Sequence, residues 1–145
     1  MNDQPFVYVT YIASTCEAVW NAFLDSRLSR QYWQHEQVCD WQPGASWSLV
    51  ADDAQRTVKH VGRVLEFRPP HRLAVTWADP SPAARTQQHS RLAVDVEAAG
   101  EMVRLTVTHD QLSPEMRRKI TYGWPLVLSS LKSFVETGRA LDIFA

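Results

Sequence analysis

His109 is the side chain in this sequence best placed to do acid–base chemistry inside the protein. It follows Leu105 and Val107 at alternate positions, and alternate residues of a strand share one face. A histidine on an apolar face can have a pKa tuned close to neutrality, so His109 is a candidate pocket donor or general base. The alternative is a structural histidine satisfied by a backbone carbonyl. We favour that alternative because no catalytic partner is evident.

Glu66 and Tyr122 are further polar side chains that could transfer protons. Glu66 is in phase with Gly62 and Val64 in a strand-like segment, so it is a buried carboxylate with a raised pKa if that face points inward. If the opposite face points inward, Glu66 is simply solvated, and we favour this interpretation. Tyr122 is a candidate proton donor only if the protein is an enzyme that uses His109.

Motifs that carry chemistry by themselves are missing from the sequence. There is no GxSxG elbow, phosphate-binding loop or Ser–His–Asp order. Cys16 and Cys39 have no CxxC neighbour, and the five histidines form no HxH or HxxxH pair, so we expect free thiols, no metal and no cofactor. The basic run Arg117–Lys119 is typical of a solvated helix face and not of an anion site.

Composition excludes several classes of partner. The formal charge is −1, from 15 basic and 16 acidic residues, which gives no field to attract nucleic acid. No apolar run approaches the ~18 residues of a membrane span. The segment Met1–Pro5 lacks the basic start and apolar core of a signal peptide. We therefore expect a cytoplasmic protein, with a single domain over residues 1–145.

The N-terminal half alternates strands and helices. Residues 6–12 are β-branched and aromatic, which predicts a strand. Ser14 is predicted to cap the following helix, with Glu17 as the acid of a capping box. Pro43-Gly44 marks a turn between predicted strands at 37–41 and 46–51.

The middle of the chain predicts an antiparallel meander. Strands are expected at 58–67, 73–77, 92–96 and 103–107, where apolar residues alternate with polar ones. The intervening segment 79–88 contains two prolines and small polar residues, which predicts a mobile surface loop.

The C-terminal part predicts a helix interrupted once. Ser113 caps it and Pro114 occupies the first helical position, while Pro125 should break or kink it near Gly123. Beyond that point Gly123–Leu141 forms a long amphipathic helix with Gly138 at its C-terminal end. Its apolar residues recur at helical spacing, as Trp124, Leu128, Leu131 and Val135. The fold class is therefore α+β, with this helix covering a curved antiparallel sheet.

The sequence also resembles a known family, and this resemblance makes the fold prediction more specific. Gly123–Gly138 resembles the C-terminal signature of the activator of heat-shock-protein-90 ATPase homologue-like family, in the START-like (SRPBCC) superfamily. Matching pieces elsewhere are Asp40-Trp41 with Pro43-Gly44, Gly62 through Leu73, and Leu105–His109. The resemblance implies a helix-grip (Bet v 1-like) fold, with a cavity between the sheet and the C-terminal helix.

The expected site is therefore a pocket for a small apolar or aromatic molecule. Tryptophans offer flat apolar walls with one donor each, although Trp47, like Trp20 and Trp41, is expected to serve mainly the framework. The residues expected at the pocket are Trp33, Trp47, Val64, Trp77, Val94, Leu105, Val107, His109, Trp124, Leu128 and Leu131.

Three functions follow from the resemblance, and we rank them. A small-molecule binding module comes first. A cyclase- or hydrolase-type enzyme that uses His109 comes second, and a chaperone cofactor or protein-interaction domain comes third. The family name does not transfer the co-chaperone role, because 145 residues leave no room for the extra domain of the eukaryotic co-chaperone. A homodimer is compatible with the family, but no residue fixes its interface.

Overall fold

The computed structural model describes residues 4–81 and 89–144. The predicted loop at 79–88 therefore lies mostly outside the described residues. Seven strands and three helices follow one another in the order β1 Phe6–Ile12, α1 Cys16–Leu24, α2 Ser26–Tyr32, β2 His35–Cys39, β3 Ser46–Ala51, β4 Val58–Arg68, β5 Arg72–Trp77, β6 Ser90–Ala99, β7 Met102–Asp110 and α3 Pro114–Thr137.

The strands form one antiparallel sheet in the order β1-β7-β6-β5-β4-β3-β2. Except for β1, each strand pairs with its neighbour in sequence, as short turns dictate. The chain then returns through α3, which packs against β1 and against α1 and α2. This curved sheet covered by a long C-terminal helix confirms the predicted α+β helix-grip fold. No helix within the described ranges is long and apolar enough to cross a membrane.

Two element boundaries at the N-terminal end differ from the sequence prediction. The cap of α1 is Thr15 and not Ser14, because the Thr15 hydroxyl accepts the Ala18 amide at 3.2 Å. Glu17 consequently lies in the first turn, and not at the capping-box position three residues after the cap. Strand β2 covers His35–Cys39 instead of residues 37–41. The remaining predicted strands are present, several of them longer at their ends.

Gly62 allows two strands to approach unusually closely. A Cβ atom added to Gly62 would lie 1.8 Å from the carbonyl oxygen of Thr76 on the adjacent strand, which is a steric overlap. Only glycine fits such an approach. This contact between β4 and β5 fixes the relative positions of His60, two residues before Gly62, and Trp77, the residue after Thr76.

The predicted break of the C-terminal helix is wrong. Helix α3 runs without interruption from Pro114 to Thr137 and contains Pro125. A proline removes one backbone donor, but buried side chains hold the helix on both sides of it, including Ile120 and Trp124 before it and Leu128 after it. Its caps are as predicted, since Ser113 accepts the Met116 amide and Gly138 is left-handed with φ 80°. The helix ends at Thr137, so residues 138–141, which were expected to be helical, lie beyond it.

Candidate ligand pocket

A hollow of about 170 Å³ lies between the N-terminal half of α3 and strands β2 to β5. Helix α3 contributes Met116, Ile120, Gly123, Trp124 and Val127, and the side opposite the helix contributes Trp33, Leu49 and Trp77. Phe144 from the C-terminal tail completes the apolar part of the lining. Most of these side chains are buried, whereas Phe144 is 53% exposed and marks the mouth.

Three tryptophan rings form the walls of this pocket. The centroid of the Trp124 ring lies 5.7 Å from that of Trp33 and 5.7 Å from that of Trp77, with interplanar angles of 52° and 53°. Such tilted arrangements are favourable for aromatic pairs. The three rings therefore offer flat, rigid surfaces that suit a planar apolar ligand.

His60 is a polar side chain of the hollow that contacts one of these rings. Its imidazole stacks on Trp77 with centroids 4.4 Å apart. Its Nδ1 is buried without a hydrogen bond and lies 3.6 Å from Asp79 Oδ1. Burial lowers the pKa of His60 to about 4, and the charges of Lys119 and Lys59 act in the same direction, whereas Asp79 opposes them. The imidazole is therefore neutral at pH 7.

Two lysines and a second histidine stand at the mouth. Lys59 on β4 and Lys119 on α3 line the hollow from opposite elements, and both are exposed. His35 Nδ1 lies 2.8 Å from the Trp33 carbonyl oxygen, to which it donates, and its pKa is lowered mainly by burial. No carboxylate of the described residues lines the hollow, so its charge is positive.

His109 lies behind the pocket in a directed hydrogen-bond chain. The Trp124 indole N–H donates to His109 Nδ1 at 3.2 Å, so the proton of the neutral ring must be on Nε2. That Nε2–H donates to Ser90 Oγ at 3.0 Å, and the Ser90 hydroxyl donates to the Trp77 carbonyl at 2.8 Å. Burial lowers the pKa of His109 to about 3. This series of hydrogen bonds connects Trp77 to Trp124 and leaves neither nitrogen of the His109 ring free to act as a base.

The structure brings three of the residues expected at the pocket together at the hollow, namely Trp33, Trp77 and Trp124. His109 contacts two of them without lining it. The others pack in the core with at most 2% of their surface exposed, and they are Trp47, Val64, Val94, Leu105, Val107, Leu128 and Leu131. These seven side chains therefore belong to the packed interior, and the hollow lies at the end where Lys59 and Lys119 are.

Glu66 and Tyr122 both point away from the pocket. A register shift between Val64 and Glu66 breaks the alternation of β4, so Val64 is buried while the Glu66 side chain is 42% exposed. Glu66 pairs with Arg72 and Arg68, and these partners lower its pKa. Tyr122 is 76% exposed.

The polar residues of the hollow were not identified from the sequence. His60 shares the strand parity of Gly62 and Val64, and this was the one available signal. Lys119 was assigned to a solvated helix face. It is solvated, but it also borders the pocket. Within residues 4–81 and 89–144 no group of three or more His, Cys, Asp or Glu could hold a metal ion.

Larger hollows lie on the outer surface of the sheet, with volumes of about 450 to 660 Å³. They are lined by ion-paired side chains such as Arg72 and Asp95, or by small polar residues such as Ser46 and Ser48. One of them has the buried Trp47 in its lining, but none of the three is lined by several aromatic rings as the hollow under α3 is. The hollow under α3 is therefore the candidate site.

Comparison with protein families gives one match, to the model described as Activator of Hsp90 ATPase homolog 1-like protein. It covers residues 13–136, which is most of the chain. No curated protein matches the sequence.

Solved structures share the fold at low sequence identity. CalU16 from Micromonospora echinospora is 19% identical, with a TM-score of 0.73 over 92% of this chain and 77% of its own. A Bordetella parapertussis protein is 23% identical, with a TM-score of 0.73 over 97% of this chain and 78% of its own. The Aha1 dimer from Colwellia psychrerythraea is 15% identical, with a TM-score of 0.75 over 94% of this chain and 99% of its own.

Proposed function

This chain belongs to the Activator of Hsp90 ATPase homolog 1-like family, and we propose that it binds a small, largely apolar molecule in the hollow under α3. One observation carries the proposal. Trp77 is 4% exposed and lines the hollow, yet its indole Nε1 is buried without a hydrogen-bond partner. An unpaired buried donor costs about 1–3 kcal/mol, and a ligand acceptor that displaced the atoms covering this nitrogen would remove that cost.

The size of the hollow sets the size of the ligand. Its volume of about 170 Å³ is close to that of an engineered cavity of about 150 Å³ that accepts benzene. Drug-sized ligands occupy pockets of about 300–1,000 Å³. The proposal is therefore binding of a molecule with about one aromatic ring.

Gly123 offers a direct test, because it lines the hollow and an added Cβ there would meet no atom within 4 Å. Gly123→Leu should fill the hollow and abolish binding of one-ring aromatic probes, measured by quenching of tryptophan fluorescence. Ser129→Leu, at an exposed position of the same helix, is the matched control and should bind as the wild type does. If Gly123→Leu folds and binds the probes unchanged, the site is not this hollow.

We further propose that the protein is cytoplasmic and that it self-associates. A cytoplasmic location is supported by Cys16 and Cys39, which are free thiols, since reduced cysteines are the norm in that compartment. Self-association is supported by the Colwellia protein of the same fold, which is described as a dimer. Light scattering at several protein concentrations would test self-association, and a monomer throughout would contradict it.

A further inference from the structure

We propose that the pocket selects an aromatic anion, specifically a one-ring aryl carboxylate with its ring among the tryptophans and its carboxylate at the mouth. This inference rests on the proposed function and adds the charge and the polar group of the ligand. It follows from three features of the lining: the sign of its charge, the kind of hydrogen-bonding groups it presents and its aromatic walls.

The charge at the mouth is positive although the chain as a whole carries −1. Lys59 and Lys119 approach from β4 and from α3, and neither forms an ion pair within 4 Å in the described part of the chain. Both ammonium groups lie close enough to lower the pKa of His60. Two unpaired cations beside an apolar hollow favour a ligand with a negative end.

The acids near the mouth are Asp52, Asp53 and Asp79, and their charges act on His35 or on His60. Asp53 accepts hydrogen bonds from the amide and the hydroxyl of Thr57 at 2.9 and 2.8 Å. The Asp79 side chain is 53% exposed and lies 3.6 Å from His60. None of these three acids lines the hollow, whereas both lysines do.

The hydrogen-bonding groups of the hollow are predominantly donors. An indole N–H can only donate, and that of Trp77 is buried and unpaired. The lysine ammonium groups are also donors only. His60 Nδ1 is unpaired as well, but a neutral imidazole carries one donor and one acceptor, so His60 favours neither kind of ligand group. A ligand that presents several acceptors, as a carboxylate does, matches this set better than a ligand that presents donors.

The aromatic walls fix the other end of the ligand. Trp33, Trp77 and Trp124 surround the apolar part of the hollow, and its volume of about 170 Å³ accepts about one ring. An aliphatic acid would leave the flat faces of the indoles poorly contacted. The preferred ligand is thus benzoate-like and not fatty-acid-like.

The experiment compares benzoate with benzamide, which has nearly the same shape and no charge. Binding to the full-length protein is measured by titration calorimetry and by tryptophan fluorescence at low salt. Benzoate should bind about tenfold more tightly than benzamide, since each lysine at an exposed site contributes up to about fivefold. The preference should shrink as salt is added, because the charges at the mouth are exposed.

Variants at the mouth test whether the two lysines cause the preference for benzoate over benzamide. Lys59→Gln and Lys119→Gln should each weaken benzoate binding severalfold, and the double variant should bind benzoate and benzamide equally. Benzamide affinity should stay constant throughout, which separates loss of charge from loss of fold. Arg118→Gln is the matched control, because Arg118 is an exposed cation beside Lys119 that does not line the hollow.

Failure of the inference is distinguishable from failure of the proposed function. If the wild type binds benzamide or neutral indole as tightly as benzoate, the anion preference is overturned while ligand binding stands. If a benzoate preference persists in the double variant, the assignment to the lysines is overturned. If neither acids nor neutral one-ring probes bind at millimolar concentration, both proposals fail.

Discussion

The indole Nε1 of Trp124 lies 3.2 Å from Nδ1 of His109, within a buried chain that continues through Ser90 to the Trp77 carbonyl. This relationship gives His109 a structural task. It holds two walls of the pocket, Trp77 and Trp124, in a fixed relative position. His109 must stay neutral for this bond to form, because a proton on Nδ1 would oppose the Trp124 N–H.

Trp124→Phe is expected to lower the free energy of unfolding by about 1–3 kcal/mol more than Trp33→Phe does, because it leaves His109 Nδ1 without its donor. Trp33 is a suitable control since it is also buried and lines the same hollow. Its indole makes no hydrogen bond among the described residues. Urea denaturation of the two variants measures the difference, and equal losses would show that the hydrogen bond contributes nothing.

The free energy of unfolding should fall as the pH drops below about 6.5. Burial lowers the pKa of His109 to about 3 and that of His60 to about 4, whereas a histidine in the unfolded chain titrates near 6.5. Below about 6.5 the unfolded chain therefore binds more protons than the folded one. Each histidine then contributes a slope of up to about 1.4 kcal/mol per pH unit. His35, whose pKa is also lowered by burial, acts with the same sign.

Urea unfolding between about pH 7.5 and about pH 5 measures this slope while carboxylates are still largely ionised. His109→Gln should reduce the slope by the share of one histidine. A slope in His109→Gln equal to that of the wild type would contradict the assignment.

Gly62→Ala should destabilise the protein by about 1–3 kcal/mol or more, since overpacking cannot be relieved where the neighbour is backbone. The new Cβ would overlap the Thr76 carbonyl oxygen. Gly123→Ala is the control with the opposite sign, because its Cβ meets nothing and alanine stabilises a helix interior by about 0.5–1 kcal/mol over glycine. Thermal unfolding of both variants is the measurement, and similar midpoints would refute the close approach.

Ser130→Ala should loosen the C-terminal tail and cost about 1–3 kcal/mol, because it leaves a buried acceptor unpaired. The Ser130 hydroxyl donates to the Tyr32 carbonyl at 2.8 Å and accepts the Leu141 amide at 3.0 Å. Loss of this link should raise hydrogen exchange at residues 139–144 and remove Phe144 from the pocket mouth. Ser129→Ala, one position away and exposed, should change neither quantity.

Features that depend on residues close together in the chain could be predicted from the sequence alone. Strand β1, the Ser113 cap and the Gly138 end of α3 were predicted as observed, because alternation and capping connect residues only a few positions apart. The resemblance of Gly123–Gly138 to one family predicted the helix-grip architecture. Pro125 shows the limit of such local rules, since side-chain packing on both sides of it kept α3 continuous.

The position of the hollow and the identity of the groups that face it depend on contacts between distant parts of the chain, which the sequence did not reveal. The bulge between Val64 and Glu66 reversed the face of β4, and no local pattern marks a bulge of this kind. His60 and Lys119 are 59 positions apart, and meet only because α3 crosses the strands that β-pairing has assembled. Whether an apolar face encloses a cavity or packs solid depends on how side chains from distant elements interdigitate. That long-range fit confined the pocket to the end of the sheet where the lysines lie.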